Sequence, residues 1–306
     1  MLMTIGLVRK FKQSILTLFQ IIWQARLHFC VLPPCRVCGG VTSICSGYGR
    51  KFLECECCGL IFTDDYPEIA ATRGMGMIGS WGGADVGGER EDFLVRMLAE
   101  VVNAEAFLLY GVGSTLAFPV LLSEKFDVCG CDVSSDVIAY RQAEFGSERF
   151  FHVNELQSRS KKYDAVIACE VFEHFHDPVK WVGIIVGRLT DGGTVCGTTN
   201  FYPGGTIEDN QKVGYMSINQ HVAYWSEHSM ARLMELFGMT LITFEMVCPG
   251  SIKPDLKFND LFPNKRVFFA SSDKNVIKRL QAIKDQSPVL QLDTSDYYHQ
   301  AYREVR

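Results

Sequence analysis

Residues 161–202 read KKYDAVIACEVFEHFHDPVKWVGIIVGRLTDGGTVCGTTNFY, and the fold turns on this stretch. The apolar run Ala165–Cys169 is bounded by Tyr163-Asp164 and Glu170-Val171, with Glu173-His174 and Asp177-Pro178 just beyond. A run this short and this apolar suits a strand buried on both faces. After the intervening segment, the Gly192-Gly193 turn leads into a further strand. Toward the N-terminus, Ala106–Tyr110 (AFLLY) is a buried strand that ends in Gly111-Val112-Gly113-Ser114. A helix over Leu116–Lys125 follows, with Pro119 tolerable in its first turn, and then a strand over Val128–Cys131 that ends in Asp132. Alternating strands and helices of this kind imply an α/β fold with a doubly wound, mostly parallel sheet.

Gly113 and Asp132 stand at the spacing at which a second-strand carboxylate meets the ribose of a nucleotide lying over the first glycine turn. Glycines let a ligand approach the backbone, and a carboxylate accepts from both ribose hydroxyls. A dinucleotide site shares this outline, but the third fingerprint position here is Leu116 and not glycine.

Residues 35–59 read CRVCGGVTSICSGYGRKFLECECCG. Cys35-x2-Cys38 and Cys55-x2-Cys58 are two knuckles of the kind that hold a tetrahedral zinc ion, since each turn aims two thiolates at one point. Gly39 and Gly59 follow the knuckles where a left-handed residue is useful, and a short hairpin is expected between them around Gly47-Tyr48-Gly49. Cys57 could stand in for Cys58, and Cys45 is not expected to ligate. Four thiolates close the coordination sphere, so such a zinc is structural.

Taken together, these segments resemble the class I S-adenosylmethionine-dependent methyltransferases, specifically the group with an N-terminal zinc-ribbon-like module. That group's fourth strand reads roughly F-D-x-I-x-x-x-E-V-x-E-H, which Tyr163-Asp164, Glu170-Val171 and Glu173-His174 match. His221–Ser226 and Phe237-Gly238-Met239 also look like its later part, and the resemblance covers about residues 35–270. It implies a Rossmann-like, seven-stranded sheet with the last strand antiparallel, Thr240–Val247 and Arg266–Ser271 supplying the final two strands. It also implies that Gly111, Gly113 and Ser114 cradle the methionine end of S-adenosylmethionine, Asp132 holds the ribose and Asn154 faces the adenine. Cys169 and Glu170 would lie beside the transferred methyl. The family usually has an acidic residue two places before its first glycine, where this chain has Leu109, and a third glycine where it has Thr115.

A methyl held on a sulfonium is already activated, so the protein must align an acceptor and, where needed, remove a proton. His174, just past the fourth strand, is the expected base, with a near-neutral reference pKa. His221 and Tyr224 are second candidates, as substrate positioners. The expected reaction is methyl transfer to a small-molecule acceptor such as a sugar, lipid or secondary metabolite. A non-catalytic binding module on a decayed methyltransferase domain is the alternative that Leu109 and Thr115 favour. A sugar C-methyltransferase lacking its usual C-terminal domain is another.

The remaining segments set the domain plan. Residues 1–30 form an amphipathic helix with Ile15, Leu16, Leu18, Phe19, Ile22 and Trp23 on one face. It suits packing on this protein or on a second copy better than a peripheral membrane surface, and its longest uncharged run is too short to span a bilayer. The zinc-ribbon-like module takes 31–66, a Gly-rich linker or flap 67–88, the methyltransferase domain 89–272, and a C-terminal helix and tail 273–306. Within the third of these, Glu89–Val102 is a helix with Phe93, Leu94, Met97, Leu98 and Val101 on one face. A net charge of −5 gives no basic stripe to neutralise phosphates, so nucleic acid is not an expected partner. Five of the twelve cysteines are scattered through apolar segments, as thiols of a reducing compartment are, and a cytoplasmic location is expected.

Overall fold

The structure is a computed structural model that describes residues 32–47, 49–65, 88–113, 115, 117–204, 216, 220–247, 251–253, 256–257 and 265–291. The N-terminal helix, the Gly-rich segment apart from Gly88, Ser114, Leu116 and the C-terminal tail beyond Gln291 lie outside the described residues.

The cysteine pairs flank a hairpin of β1 (Thr42–Gly47) and β2 (Arg50–Cys55), in antiparallel register from Thr42↔Cys55 to Gly47↔Arg50. β3 (Ile61–Phe62) pairs antiparallel with β2. Helix α1 (Gly88–Val102) then leads into the large sheet. Its fully buried stripe is Glu91, Leu94, Val95 and Leu98, while Phe93 and Met97 are only partly covered. The apolar face is therefore wider than the sequence pattern suggests, and it takes a carboxyl inside.

Along the chain come β4 (Ala106–Tyr110), α2 (Ala117–Ser123), β5 (Asp127–Asp132), α3 (Ser135–Phe145), β6 (Phe150–His152), β7 (Tyr163–Cys169), α4 (Pro178–Val186) and β8 (Leu189–Asn200). A two-residue strand β9 (Ala223–Tyr224), α5 (Glu227–Glu235), β10 (Thr240–Val247), a small pair β11 (Ser251–Lys253) and β12 (Leu256–Lys257), β13 (Lys265–Ser271), α6 (Lys274–Gln286) and β14 (Val289–Gln291) complete it. The large sheet runs β14-β10-β13-β8-β7-β4-β5-β6. β4 to β8 pair in parallel, and β13 lies antiparallel to both β8 and β10. This is the expected sheet with its last strand antiparallel, extended at one edge by the short β14, which pairs parallel to β10. The Gly192-Gly193 pair lies inside β8, where the pairing with β7 shifts register between Tyr163 and Ala165.

Strand ends are tied together by side chains. The Asp164 carboxylate accepts from the N–H groups of Glu105 and Ala106 at 3.0 and 3.1 Å and from Thr190 Oγ1 at 2.9 Å. It thereby aligns the starts of β4, β7 and β8. Chain order reverses between β4 and β7, so a crevice opens beyond their carboxyl ends, which is where doubly wound sheets bind ligands.

The small sheet is not closed on itself. β3 pairs with β9 in the register Ile61↔Tyr224 and Phe62↔Ala223, giving a four-stranded sheet β1-β2-β3-β9. Thr63 N–H continues the ladder to the carbonyl of Val222 at 3.0 Å. A core of Phe52, Ile61, Tyr202, Met216 and Tyr224 fills its inner face.

Candidate functional site

The crevice is built from the ends of four strands. After β4, Gly111 and Gly113 take left-handed φ values of 71° and 52°. A Cβ added at Gly111 would come within 2.6 Å of Val171 Cγ2, so both φ and space require glycine there. The N–H groups of Gly111 and Val112 donate to the carbonyl of Cys131 at 2.9 and 3.1 Å, which folds the turn over the end of β5. Asp132 closes it from below: Gly113 N–H donates to Oδ2 and Ser134 N–H to Oδ1, each at 2.8 Å. Burial pushes the Asp132 carboxyl up, with backbone hydrogen bonds opposing. Each oxygen keeps a second lone pair for a ligand hydroxyl.

At the end of β6, Asn154 is exposed within a short 3-10 turn, its N–H donating to His152 Nδ1 at 3.2 Å. The other ring nitrogen of His152 lies 3.1 Å from the carbonyl of Val133, so this imidazole ties the ends of β5 and β6 together.

At the end of β7, Cys169 is buried and its thiol is pushed well above its ordinary range by that burial. Glu170 takes a left-handed φ of 55°, uncommon for a residue with a side chain and characteristic of functional turns. Its carboxylate accepts from Thr198 Oγ1 at 2.7 Å and is paired with Arg90 at 3.1 Å and with Lys265. Burial alone would raise Glu170, but the two cations outweigh it and hold the carboxyl below its ordinary range. Glu91 lies against Cys169 and Glu170, with Oε2 buried and unpartnered, and burial pushes its carboxyl up to about 7.

Beyond β7 the chain turns through Phe172–His174. Glu173 is fully buried and accepts from Thr199 Oγ1 at 3.2 Å, while its carbonyl accepts from Val222 N–H at 2.8 Å. His174 is partly buried, and its Nδ1–H donates to the carbonyl of Gln220 at 3.0 Å, which leaves Nε2 as the nitrogen with the lone pair. Burial lowers the His174 pKa and keeps the ring neutral, partly offset by that hydrogen bond and by the Glu170 charge. The His221 ring meets it edge to face at 5.0 Å between centroids.

Tyr224, expected to position substrate, stands behind this cluster. It is 1% exposed, and its hydroxyl accepts from Arg50 Nη1 at 2.9 Å and donates to the carbonyl of His221 at 2.9 Å. A hydroxyl so enclosed holds the chain and does not reach an acceptor. Arg50 completes the tie: it donates to the carbonyls of His221 at 3.0 Å and Met216 at 3.2 Å, and both guanidinium arms meet the Asp65 carboxylate at 2.8 and 2.9 Å.

The four cysteines form a separate centre. The sulfurs of Cys35, Cys38, Cys55 and Cys58 lie within 4.8 Å of one another, with Cys35–Cys58 at 3.6 Å and Cys38–Cys55 at 3.4 Å. Four thiolates about 2.3 Å from a tetrahedral zinc would stand roughly 3.8 Å apart, so the set fits that ion. Val37 N–H points at Cys35 Sγ and Cys58 N–H at Cys55 Sγ, both at 3.4 Å. Cys58 is buried and Cys57 exposed, which decides between the two. The hydrogen bond from Cys58 draws the Cys35 thiol down to about 5, so clustering alone favours a thiolate there.

Reasoning from sequence missed Arg50, Arg90, Glu91 and Lys265. One signal was available: Glu91 shares the i, i+3, i+4, i+7 stripe with Leu94, Val95 and Leu98, and an acid on an apolar stripe marks a buried polar site. The partners of Arg50 and Lys265 are too distant in sequence to leave a local pattern.

No curated protein sequence matches the chain. Among solved structures it is similar to the plantazolicin methyltransferase BpumL in complex with a triazolic desmethylPZN analog and SAH: 14% identity, 60% of this chain, 83% of that one, TM-score 0.44. It is also similar to magnesium protoporphyrin IX methyltransferase from Synechocystis PCC 6803 with bound SAH: 15% identity, 61% and 84% coverage, TM-score 0.42. A third is the methyltransferase domain of bacterial CtHen1: 17% identity, 59% and 97% coverage, TM-score 0.40. The family model of the methyltransferase domain matches residues 85–243. That span begins just before α1 and ends inside β10, more than half of the 306 residues, and it makes the chain a member of the methyltransferase-domain family.

Proposed function

We propose that this methyltransferase takes its methyl group from S-adenosylmethionine and passes it to a small-molecule acceptor such as a sugar, lipid or secondary metabolite. The observation that carries the reading is Asp132, whose two carboxylate oxygens grip the turns after β4 and β5 and each keep a further lone pair with which to accept from a ribose hydroxyl. Gly113 leaves open space for the methionine end and Gly111 lets the turn that cradles it close against Val171, while Asn154 borders the adenine side and Cys169 and Glu170 flank the methyl. Ser114, assigned to the same turn, lies outside the described residues. When bound, the cofactor supplies an electrophilic carbon on a sulfonium. The buried carboxyl of Glu91 faces that region and complements a cation.

His174 handles the acceptor. Its Nε2 lone pair, fixed by the Gln220 carbonyl, is the group that an incoming hydroxyl or amine meets, with His221 beside it. Neither the Leu109 nor the Thr115 departure removes a backbone donor from the turn; both side chains are buried, Leu109 in the main core.

Titration of the full chain with S-adenosylmethionine and with its demethylated product in a calorimeter tests the cofactor assignment. Micromolar-range binding of both is expected, and absence of binding of either would return the chain to the non-catalytic alternative. Comparing metabolites of cells with and without the protein would then identify the acceptor as a species that gains one methyl.

A further inference from the structure

We infer that Glu173, His174 and His221 form a second metal site, for a divalent transition ion such as manganese, iron, cobalt or zinc, and that the ion binds the hydroxyl of the acceptor. One carboxylate oxygen of Glu173 and one ring nitrogen from each histidine all lie within 4.8 Å of one another. Ligands about 2.1 Å from an ion stand roughly 3.0–4.2 Å apart, so modest side-chain rotations close the shell.

The residues behind each ligand aim it inward. His174 Nδ1–H is fixed on the carbonyl of Gln220 at 3.0 Å, the arrangement that turns Nε2 toward a metal. Thr199 Oγ1 steadies the Glu173 carboxylate at 3.2 Å, and Val222 N–H steadies its main chain at 2.8 Å. The main chain of His221 is gripped by Arg50 and by the Tyr224 hydroxyl. Ligands from β7's end and from the segment before β9 thus converge from elements that the small sheet locks together.

The donor set selects the ion. Magnesium and calcium take oxygen ligands, whereas two imidazoles with one carboxylate suit the later divalent ions. Three protein ligands also leave positions open, unlike the closed tetracysteine centre, and an open shell is the mark of a catalytic ion. With two neutral imidazoles and one carboxylate the loaded site carries one net positive charge, which favours an oxygen acceptor over an ammonium. With the ion bound, the single Nε2 lone pair of His174 is a ligand and not a base; the ion would polarise the acceptor hydroxyl, whose proton would pass to water. The oxygen lone pair then takes the methyl carbon while the carbon–sulfur bond breaks with its pair left on sulfur.

This role rests on the methyl-transfer reading, but ion binding does not, and the two are separable. The full chain, loaded with zinc at its cysteines, is titrated with Mn2+ and the free ion is followed by electron paramagnetic resonance. One Mn2+ per chain beyond the zinc is expected. His174→Ala, His221→Ala and Glu173→Gln should each weaken it by about 10–100-fold, with zinc retained, and His152→Ala should leave it unchanged. Failure of the wild-type chain to bind Mn2+ at millimolar concentration, or equal binding by the three variants, overturns the site. Should a variant lose its zinc and unfold, the wild-type protein still decides. Broadening of the His174 and His221 ring resonances by Mn2+ upholds the site, and unchanged ring signals overturn it. Manganese held at these residues with no cofactor binding would sink the methyl-transfer reading and leave the ion site standing.

Discussion

Arg50 Nη2, on the second strand of the cysteine module, donates to the carbonyl of His221 at 3.0 Å, 171 positions further along the chain. The same side chain holds Asp65, Met216 and Tyr224 and is 7% exposed. Arg50→Ala would strand buried carbonyls and an acidic partner, so a loss of about 2–4 kcal/mol in urea unfolding is expected. Lysine should not rescue it, because a point charge cannot replace a planar fork. Cofactor affinity should change much less than acceptor turnover, since the contact lies on the His221 side. Equal losses of both would show that Arg50 serves the whole fold.

At the tetracysteine centre, Cys57 and Cys58 make a clean pair. Cys58→Ser should lose zinc and destabilise the small sheet, whereas the exposed neighbour Cys57→Ser should keep about one zinc per chain. Metal analysis of the two reduced, purified variants checks this, and the reverse pattern would mean that the second knuckle is misregistered.

Asp132 predicts a direction with pH. Its folded-state carboxyl lies above the ordinary value because of burial, so it takes a proton sooner than an exposed aspartate as pH falls. Ribose binding through the carboxylate should therefore weaken on acidification beginning above the usual aspartate range. Asp132→Asn should flatten that limb and reduce affinity by about 1.5–3 kcal/mol at neutral pH. Calorimetric titration of the demethylated cofactor across pH 4–8 is the measurement.

Glu91 gives the matching stability test. Its carboxyl sits at about 7 in the folded chain against roughly 4.3 when unfolded, so the folded form binds the extra proton. Its contribution to stability is fully present below about pH 4 and is lost as pH rises toward and through 7. Glu91→Gln, which keeps the shape and removes the charge, should raise the melting temperature at pH 8 and converge with wild type near pH 4. No pH dependence in the difference would mean that the cofactor-free chain keeps Glu91 in water.

The parallel half of the sheet was legible in the sequence because each strand is a short apolar run read against local turn residues. Ala106–Tyr110 matches to the residue, and Asp132 stands where the spacing put it. The four cysteines came from spacing alone, yet spacing could not choose between Cys57 and Cys58; burial did. Tyr224 shows the limit from the other side. A tyrosine just before a helix looks like a positioner until Arg50 is seen closing over its hydroxyl, and no local pattern encodes a partner 174 positions away. The ion pairs of Glu170 with Arg90 and Lys265 escaped for the same reason.

The pairing of Ile61 with Tyr224 sets an order of events during synthesis. Thr42–Cys55 and both cysteine knuckles leave the ribosome early and can capture their ion at once. The β3 strand then presents an open edge until Ala223 and Tyr224 arrive, which at ribosomal speed is on the order of ten to thirty seconds. For that interval the nascent chain carries an unpaired, apolar strand edge, the kind of surface on which neighbouring chains misassociate. Pairing so distant in sequence also folds slowly once the chain is free. Heterologous production should therefore gain most from added holding chaperones, and least from further zinc or from slowed translation, which lengthens that interval.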